Sequence, residues 1–210
     1  MDELVVFDLD GVLFDSKILH YDVLNTALEK IDPKLKISHE EQEHTYEGKT
    51  TMTKLKILTA QKGLDPCFYD TIWKQKQLLT LQYIDNNVTP DYELIDLMKY
   101  LHDSGYEIAC ASNSIYATVK KSLLKLGIID SFDYFLSNED VKNPKPHPEI
   151  YYQCMIRSNK SPRHVTIVED SPVGIEAAQR SGAKVIQVQG RRDVKKNLFT
   201  CRNVFVNSCF

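Results

Sequence analysis

Short apolar runs rich in β-branched residues recur along the chain, each bounded by polar or turn-forming positions. They are "LVVFD" (4–8), "EIACAS" (107–112), "YFLS" (134–137), "VTIVED" (165–170), "KVIQV" (184–188) and, as a sixth candidate, "NVFV" (203–206). Their near-continuous hydrophobicity predicts strands buried on both faces, as in a parallel sheet. Between them lie stretches of helical period. "DYELIDLMKYLHDSG" (91–105) puts Leu94, Leu97, Met98 and Leu101 on one stripe and stops at Gly105. "SIYATVKKSLLKLG" (114–127) behaves likewise. "SPVGIEAAQRSG" (171–182) opens on Ser-Pro, a good pair for the cap and first helical position, and closes on Gly. Strand–helix alternation of this kind predicts an α/β fold with a doubly wound, mainly parallel, Rossmann-like sheet.

One region breaks the alternation. From Ser16 to about Tyr83 there is no strand run, only helical pattern, in "KILHYDVLNTALEKI", "SHEEQEHTYEG", "TMTKLKILTAQKG" and "FYDTIWKQKQLLTLQYI". The expectation is a helical cap domain over 16–86, inserted after the first strand and returning through "DNNVTP" (85–90). The catalytic core is then formed by 1–15 and 87–210.

Composition narrows the class. The 210 residues carry 26 Lys+Arg against 29 Asp+Glu, a formal net charge of -3, with 42% hydrophobic residues. That balance offers no electrostatic reason for a nucleic acid or an anionic membrane as partner. No apolar run approaches a membrane span, and the first residues lack a signal-peptide pattern. Five scattered cysteines (Cys67, Cys110, Cys154, Cys201, Cys209) without a CxxC pair point to reduced thiols rather than a disulfide framework or zinc site. A cytoplasmic protein, a monomer or weak dimer, is expected.

The candidate chemistry sits where strands end. Asp8 and Asp10 interrupt an apolar run and are followed by Gly11; at the carboxyl end of a first parallel strand they would project into the crevice where such sheets bind ligands. Two close carboxylates repel unless a proton or cation intervenes, and oxygen ligands suit Mg²⁺. Solvated loop aspartates are the plainer alternative. Ser112 and Asn113 follow the second run at the expected start of a helix, a place for a phosphate or, equally, for a simple N-cap. Lys145 stands between prolines in "KNPKPHPEIYY", where a positive charge is held in a stiff loop; a solvated lysine is the alternative. Glu169 and Asp170 end a further run as a second carboxylate pair that could complete a divalent-metal site, or Asp170 could merely cap the next helix.

In that order, DxDG, Ser-Asn, a lysine in a proline loop and Glu-Asp, the chain resembles the haloacid-dehalogenase-like hydrolase superfamily. The carriers are "DLDGVLFDS" (8–16), Ser112-Asn113, Lys145 and "EDSP" (169–172). The helical insert and "EDSPVGIEAAQRSGA" resemble the subgroup of phosphoglycolate and sugar-phosphate phosphatases and β-phosphoglucomutase. The resemblance implies Asp8 as nucleophile forming an aspartyl-phosphate and Asp10 as general acid and base. It implies Mg²⁺ on Asp8, the Asp10 carbonyl and Asp170 with support from Glu169, and phosphoryl contacts from Ser112, Asn113 and Lys145. Asp10 sets dehalogenation aside, because the dehalogenase members lack this second aspartate.

The cap residues are less constrained. His20 falls where β-phosphoglucomutase carries a histidine, and Gly48 and Lys49 look like a cap loop facing the site. Thr51 and Met52 stand where the mutase pattern has an arginine. "GKTT" is no phosphate-binding P-loop, since position 43 is glutamate and a helix precedes it. "GRRDVKK" (190–196) reads as solvated surface. The expected activity is a Mg²⁺-dependent phosphomonoesterase acting on a small phosphorylated metabolite. A phosphosugar mutase and a catalytically silent binding protein are the alternatives.

Overall fold

The computed structural model describes residues 3–46 and 49–200. The strand candidate at 203–206 and the loop residue Gly48 lie outside the described residues. In chain order the elements are β1 (Glu3–Phe7), α1 (Lys17–Glu29), the single turn α2 (His39–Glu41), α3 (Thr51–Lys62), α4 (Tyr69–Asn87) and α5 (Tyr92–Asp103). They continue with β2 (Tyr106–Ala111), α6 (Tyr116–Lys125), β3 (Tyr134–Leu136), α7 (Glu149–Arg157), β4 (Val165–Glu169), α8 (Pro172–Arg180) and β5 (Lys184–Gln187). The chain divides into two compact units, with breaks between Asp15 and Ser16 and between Asn87 and Val88.

Among the described residues the first unit holds one five-stranded sheet in the order β3-β2-β1-β4-β5, with every neighbouring pair parallel. The chain winds outward from β1 to β2 and β3, then returns to the other side of β1 as β4 and winds on to β5. The winding reverses between β1 and β4, and the carboxyl ends of strands beside such a reversal are where open α/β sheets take ligands.

β1 explains its own apolar pattern. Leu4 and Val6 join one core with Ile150, Tyr151 and Cys154 of α7 and Ala177 and Ala178 of α8. The next-door residue Phe7, whose side chain points to the opposite face, packs its ring on Phe132 at 6.4 Å and Phe199 at 5.9 Å. Both faces are covered from Leu4 onward, and the four residues there are all apolar and buried, with only Glu3 at the strand's start polar and half-buried. The stripe read from α5 is buried as expected at Leu94, Leu97, Met98 and Leu101, and Asp91 caps that helix by accepting from the Leu94 N–H.

Arg191 departs from the surface reading of "GRRDVKK". Its guanidinium, only 12% exposed, pairs with Asp91 through two bonds, Nε to Oδ2 at 2.8 Å and Nη2 to Oδ1 at 2.7 Å. An isolated basic run gives no sign of a carboxylate a hundred residues upstream. Ser112 and Asn113 also fall outside the helix that they were expected to begin. Ile115 occupies the cap position of α6, so both residues belong to the loop between β2 and α6.

The second unit is helical. Its core gathers Leu24 and Leu28 of α1, Tyr46, Leu55 and Leu58 of α3, and Ile72 of α4. Asn25 clamps the backbone of Ile37 at both its carbonyl and its N–H, and Ser38 with Glu41 forms a reciprocal capping box for α2. The stretch expected to return to the core begins later than the sequence suggested, because α4 stays helical through Asn87. Among the described residues no helix is long and apolar enough to cross a membrane.

Candidate active site

Asp8 leaves the end of β1 with its N–H still bonded to the Val168 carbonyl of β4 at 3.0 Å. That extra rung sets it beside Glu169 and Asp170 at the end of the neighbouring strand. The chain then folds back on itself: Leu13 and Phe14 donate to the Leu9 carbonyl, and Gly11 donates to the Phe14 carbonyl. Asp10 therefore sits in a tight turn rather than on the strand, so strand alternation is not what orients the two aspartates.

Carboxylate oxygens of Asp8, Glu169 and Asp170 lie within 4.8 Å of one another. Lys145 reaches into this group from the loop before α7, with Nζ 2.6 Å from Asp8 Oδ1 and 2.6 Å from Glu169 Oε1. Its third N–H goes to the Ala111 carbonyl at 2.8 Å. The sequence had given Lys145 to phosphoryl oxygens; here all three donors of the ammonium are engaged inside the protein. Burial disfavours the ammonium, yet the Asp8 and Glu169 carboxylates outweigh it and raise Lys145 well above the ordinary lysine range.

Asn113 contributes indirectly. Its side-chain amide donates to the Lys145 carbonyl at 3.2 Å, and its carbonyl accepts the Lys145 N–H at 3.0 Å. The side chain thus aligns the lysine loop. Ser112 is buried and its Oγ accepts the Ser114 N–H at 2.9 Å. Ser114, which sequence reasoning passed over, donates its hydroxyl to Asp10 Oδ2 at 2.8 Å; the polar run Ser112-Asn113-Ser114 after a strand was the available signal.

Glu169 is fully buried. Its Oε1 accepts from Lys145 and from the Tyr151 hydroxyl, each at 2.6 Å. Its Oε2 accepts from the Asp170 N–H at 3.2 Å and the Ser171 hydroxyl at 3.4 Å. A carboxylate has about four acceptor positions, and these four donors fill them. Burial pushes the Tyr151 phenol well above its usual range, so it stays a neutral donor. Sequence reasoning missed Tyr151 as well, although a buried tyrosine must find a partner for its hydroxyl.

Two glycines make room. At Gly11, where φ is +86°, a Cβ would lie 2.1 Å from Asp170 Oδ2. At Gly174 a Cβ would lie 2.1 Å from the Glu169 carboxylate. Gly11→Ala is expected to displace Asp170 and to add left-handed strain of about 1–2 kcal/mol. The melting temperature should fall, and any turnover that depends on Asp170 should fall at least roughly tenfold; unchanged turnover would show that Asp170 needs no such seat.

The donor set fits a divalent cation. Three carboxylates gather around one ammonium, and a like-charged pair at this spacing repels by about 3.5 kcal/mol even at an effective dielectric constant of 20. Burial, then the Glu169 charge, raises Asp8 well above the ordinary carboxylate range against the pull of Lys145. A cation on Asp8 and Asp170 would relieve that strain, whereas Glu169, with its acceptors filled, would brace the arrangement from behind. His20 lies half-buried on α1 and Lys49 is exposed just before α3, both in the second unit.

A parallel α/β sheet whose strand ends gather acids around a buried lysine defines a Rossmann-like protein with the makings of an enzyme. Residues 5–188 match the family model described as haloacid dehalogenase-like hydrolase, and the chain belongs to that family. It is 26% identical over 88% of its length to the "Phosphorylated carbohydrates phosphatase" of Thermotoga maritima, of which it covers 83%. It is likewise 26% identical to the pyrophosphatase PpaX of Bacillus pumilus, over 96% of this chain and 90% of that one. Among solved structures, CbbY from Rhodobacter sphaeroides in complex with phosphate superposes with a TM-score of 0.80 at 21% identity, over 90% of this chain and 87% of that one. The β-phosphoglucomutase of Clostridium difficile gives 0.77 at 23% identity, over 95% and 96%. At these identities the two structures speak for the fold.

Proposed function

We propose that this chain is a Mg²⁺-dependent phosphomonoesterase that hydrolyses a small phosphorylated metabolite, such as a sugar phosphate, through an aspartyl-phosphate on Asp8. The observation that carries this reading is the bridge from Lys145 Nζ to both Asp8 and Glu169 at 2.6 Å, with Asp170 in the same cluster. Names of relatives that state phosphatase activity support it.

In this reading Asp8 attacks phosphorus, which splits one difficult displacement into two easier ones. Asp10 first protonates the departing oxygen and then takes a proton from the attacking water. The Ser114 hydroxyl, bonded to Asp10 Oδ2, holds that carboxylate in one orientation. Mg²⁺, when bound, would neutralise phosphoryl charge; Asp8, the Asp10 carbonyl and Asp170 would hold it, with Glu169 behind. Lys145 supplies fixed positive charge beside the reacting oxygens, and Ser112 with the Asn113 backbone offers donors to the transferring phosphoryl group. Choice of substrate is assigned to the second unit, with His20, Gly48 and Lys49 as candidates.

A panel of phosphorylated sugars, glycolate, nucleotides and pyrophosphate, scored for phosphate release with Mg²⁺, tests the reading. Release from at least one monoester is expected. Conversion of a sugar phosphate into its isomer without release would instead make the protein a mutase, and inertness across the panel would favour a binding role.

A further inference from the structure

We infer that Tyr151 is a positioning residue for the metal site, acting through Glu169. The inference rests on the proposed Mg²⁺-dependent reading and adds to it a residue outside the four motifs. Tyr151 lies in the first turns of α7 and is fully buried. Its hydroxyl donates to Glu169 Oε1 at 2.6 Å, and Lys145 Nζ stands 4.9 Å from the centre of its ring. One side chain thus touches both members of the Lys145–Glu169 pair.

The geometry gives the hydroxyl a task that the ring alone cannot perform. Glu169 holds two things at once: Lys145 through Oε1, and the Asp170 N–H through Oε2. The Gly174 backbone limits where the carboxylate can go. Within that space the Tyr151 hydroxyl fixes which way Oε1 faces, and so where Oε2 holds the start of Asp170. Without it, Oε1 would keep the lysine alone and could rotate toward the cluster, adding a fourth poorly placed oxygen around the cation. Partners that orient metal-ligating groups from behind change metal affinity by about 10–100-fold when removed.

Tyr151→Phe removes one oxygen and keeps the ring. Mg²⁺ titrated calorimetrically into the substrate-free protein should bind about tenfold more weakly. The Mg²⁺ concentration for half-maximal phosphate release should rise in parallel, with excess Mg²⁺ restoring much of kcat. Glu169→Gln approaches the same bond from its other end, and its effect on Mg²⁺ affinity should be less than additive with Tyr151→Phe. Tyr134→Phe is the control: that phenol is also largely buried but bonds the Cys154 carbonyl and Ser158, so its loss should lower the melting temperature without moving the Mg²⁺ affinity.

Wild-type Mg²⁺ affinity in Tyr151→Phe, or additive effects with Glu169→Gln, would overturn the inference and leave the phenol a packing group. A wild-type protein that neither binds Mg²⁺ nor releases phosphate would sink the underlying reading instead.

Discussion

Asp8→Asn is expected to abolish phosphate release, with a fall of about 10⁴-fold or more, the size seen when an enzyme loses a group that forms or drives its covalent step. The substitution keeps the shape of the side chain and removes its nucleophilic oxygen. It also removes one negative charge from a cluster of three carboxylates and leaves Lys145 its bond to Glu169, so the folded state should not suffer. The expected pair of results is therefore lost turnover with an unchanged or raised melting temperature. Retained hydrolysis of any phosphomonoester by Asp8→Asn would end the covalent mechanism, whatever its stability.

Lys145→Met should differ from Asp8→Asn in damaging the fold as well as the chemistry. The side chains of Lys145 and Glu169 are 3% and 0% exposed, so the variant leaves Asp8 and Glu169 buried together with no ammonium between them. Removing one partner of a buried ion pair costs about 3–5 kcal/mol. The direction with pH follows from Asp8. Its folded-state pKa is already raised by burial and by Glu169 against the pull of Lys145, and losing the lysine raises it further. A carboxyl raised on folding favours the folded state below its unfolded pKa, about 3.9. That advantage is lost as pH rises through the folded value. In denaturant unfolding with chelator present, the deficit of Lys145→Met should be widest at neutral pH and should shrink on acidification. A deficit that does not change with pH would mean that the bridge contributes packing rather than charge balance.

Both expectations turn on contacts between residues far apart in the chain, and these mark the limit of what was legible beforehand. Strands and helices could be read because their signals are local. An apolar run such as Leu4–Phe7 needs only its neighbours to declare a strand covered on both sides, and the stripe Leu94, Leu97, Met98, Leu101 needs only the helical period. The order of the acidic, serine and lysine motifs is also a linear property. The resemblance to the haloacid-dehalogenase-like hydrolases was visible on that basis, and the match over residues 5–188 bears it out.

Where the signal was not local, sequence reasoning assigned residues by type. For Lys145 the stiff proline loop was legible, but not that its three donors meet Asp8, Glu169 and the Ala111 carbonyl. Arg191 was given to solvent because it sits in a basic run, whereas Asp91 draws it in.

By itself, then, the sequence determined the alternation of strand and helix, the helical character of the insert and the linear order of the family's motifs. Each of these follows from side-chain period or from linear order. Only the tertiary structure decided who meets whom: Ser114 with Asp10, Tyr151 with Glu169, and the seats that Gly11 and Gly174 leave for Asp170 and Glu169. The physical reason is that a buried polar atom must find a partner wherever the fold brings one near: the parallel sheet sets residues 8, 111 and 169 side by side at its strand ends and the loop before α7 brings Lys145 onto them, positions that no local pattern relates to one another.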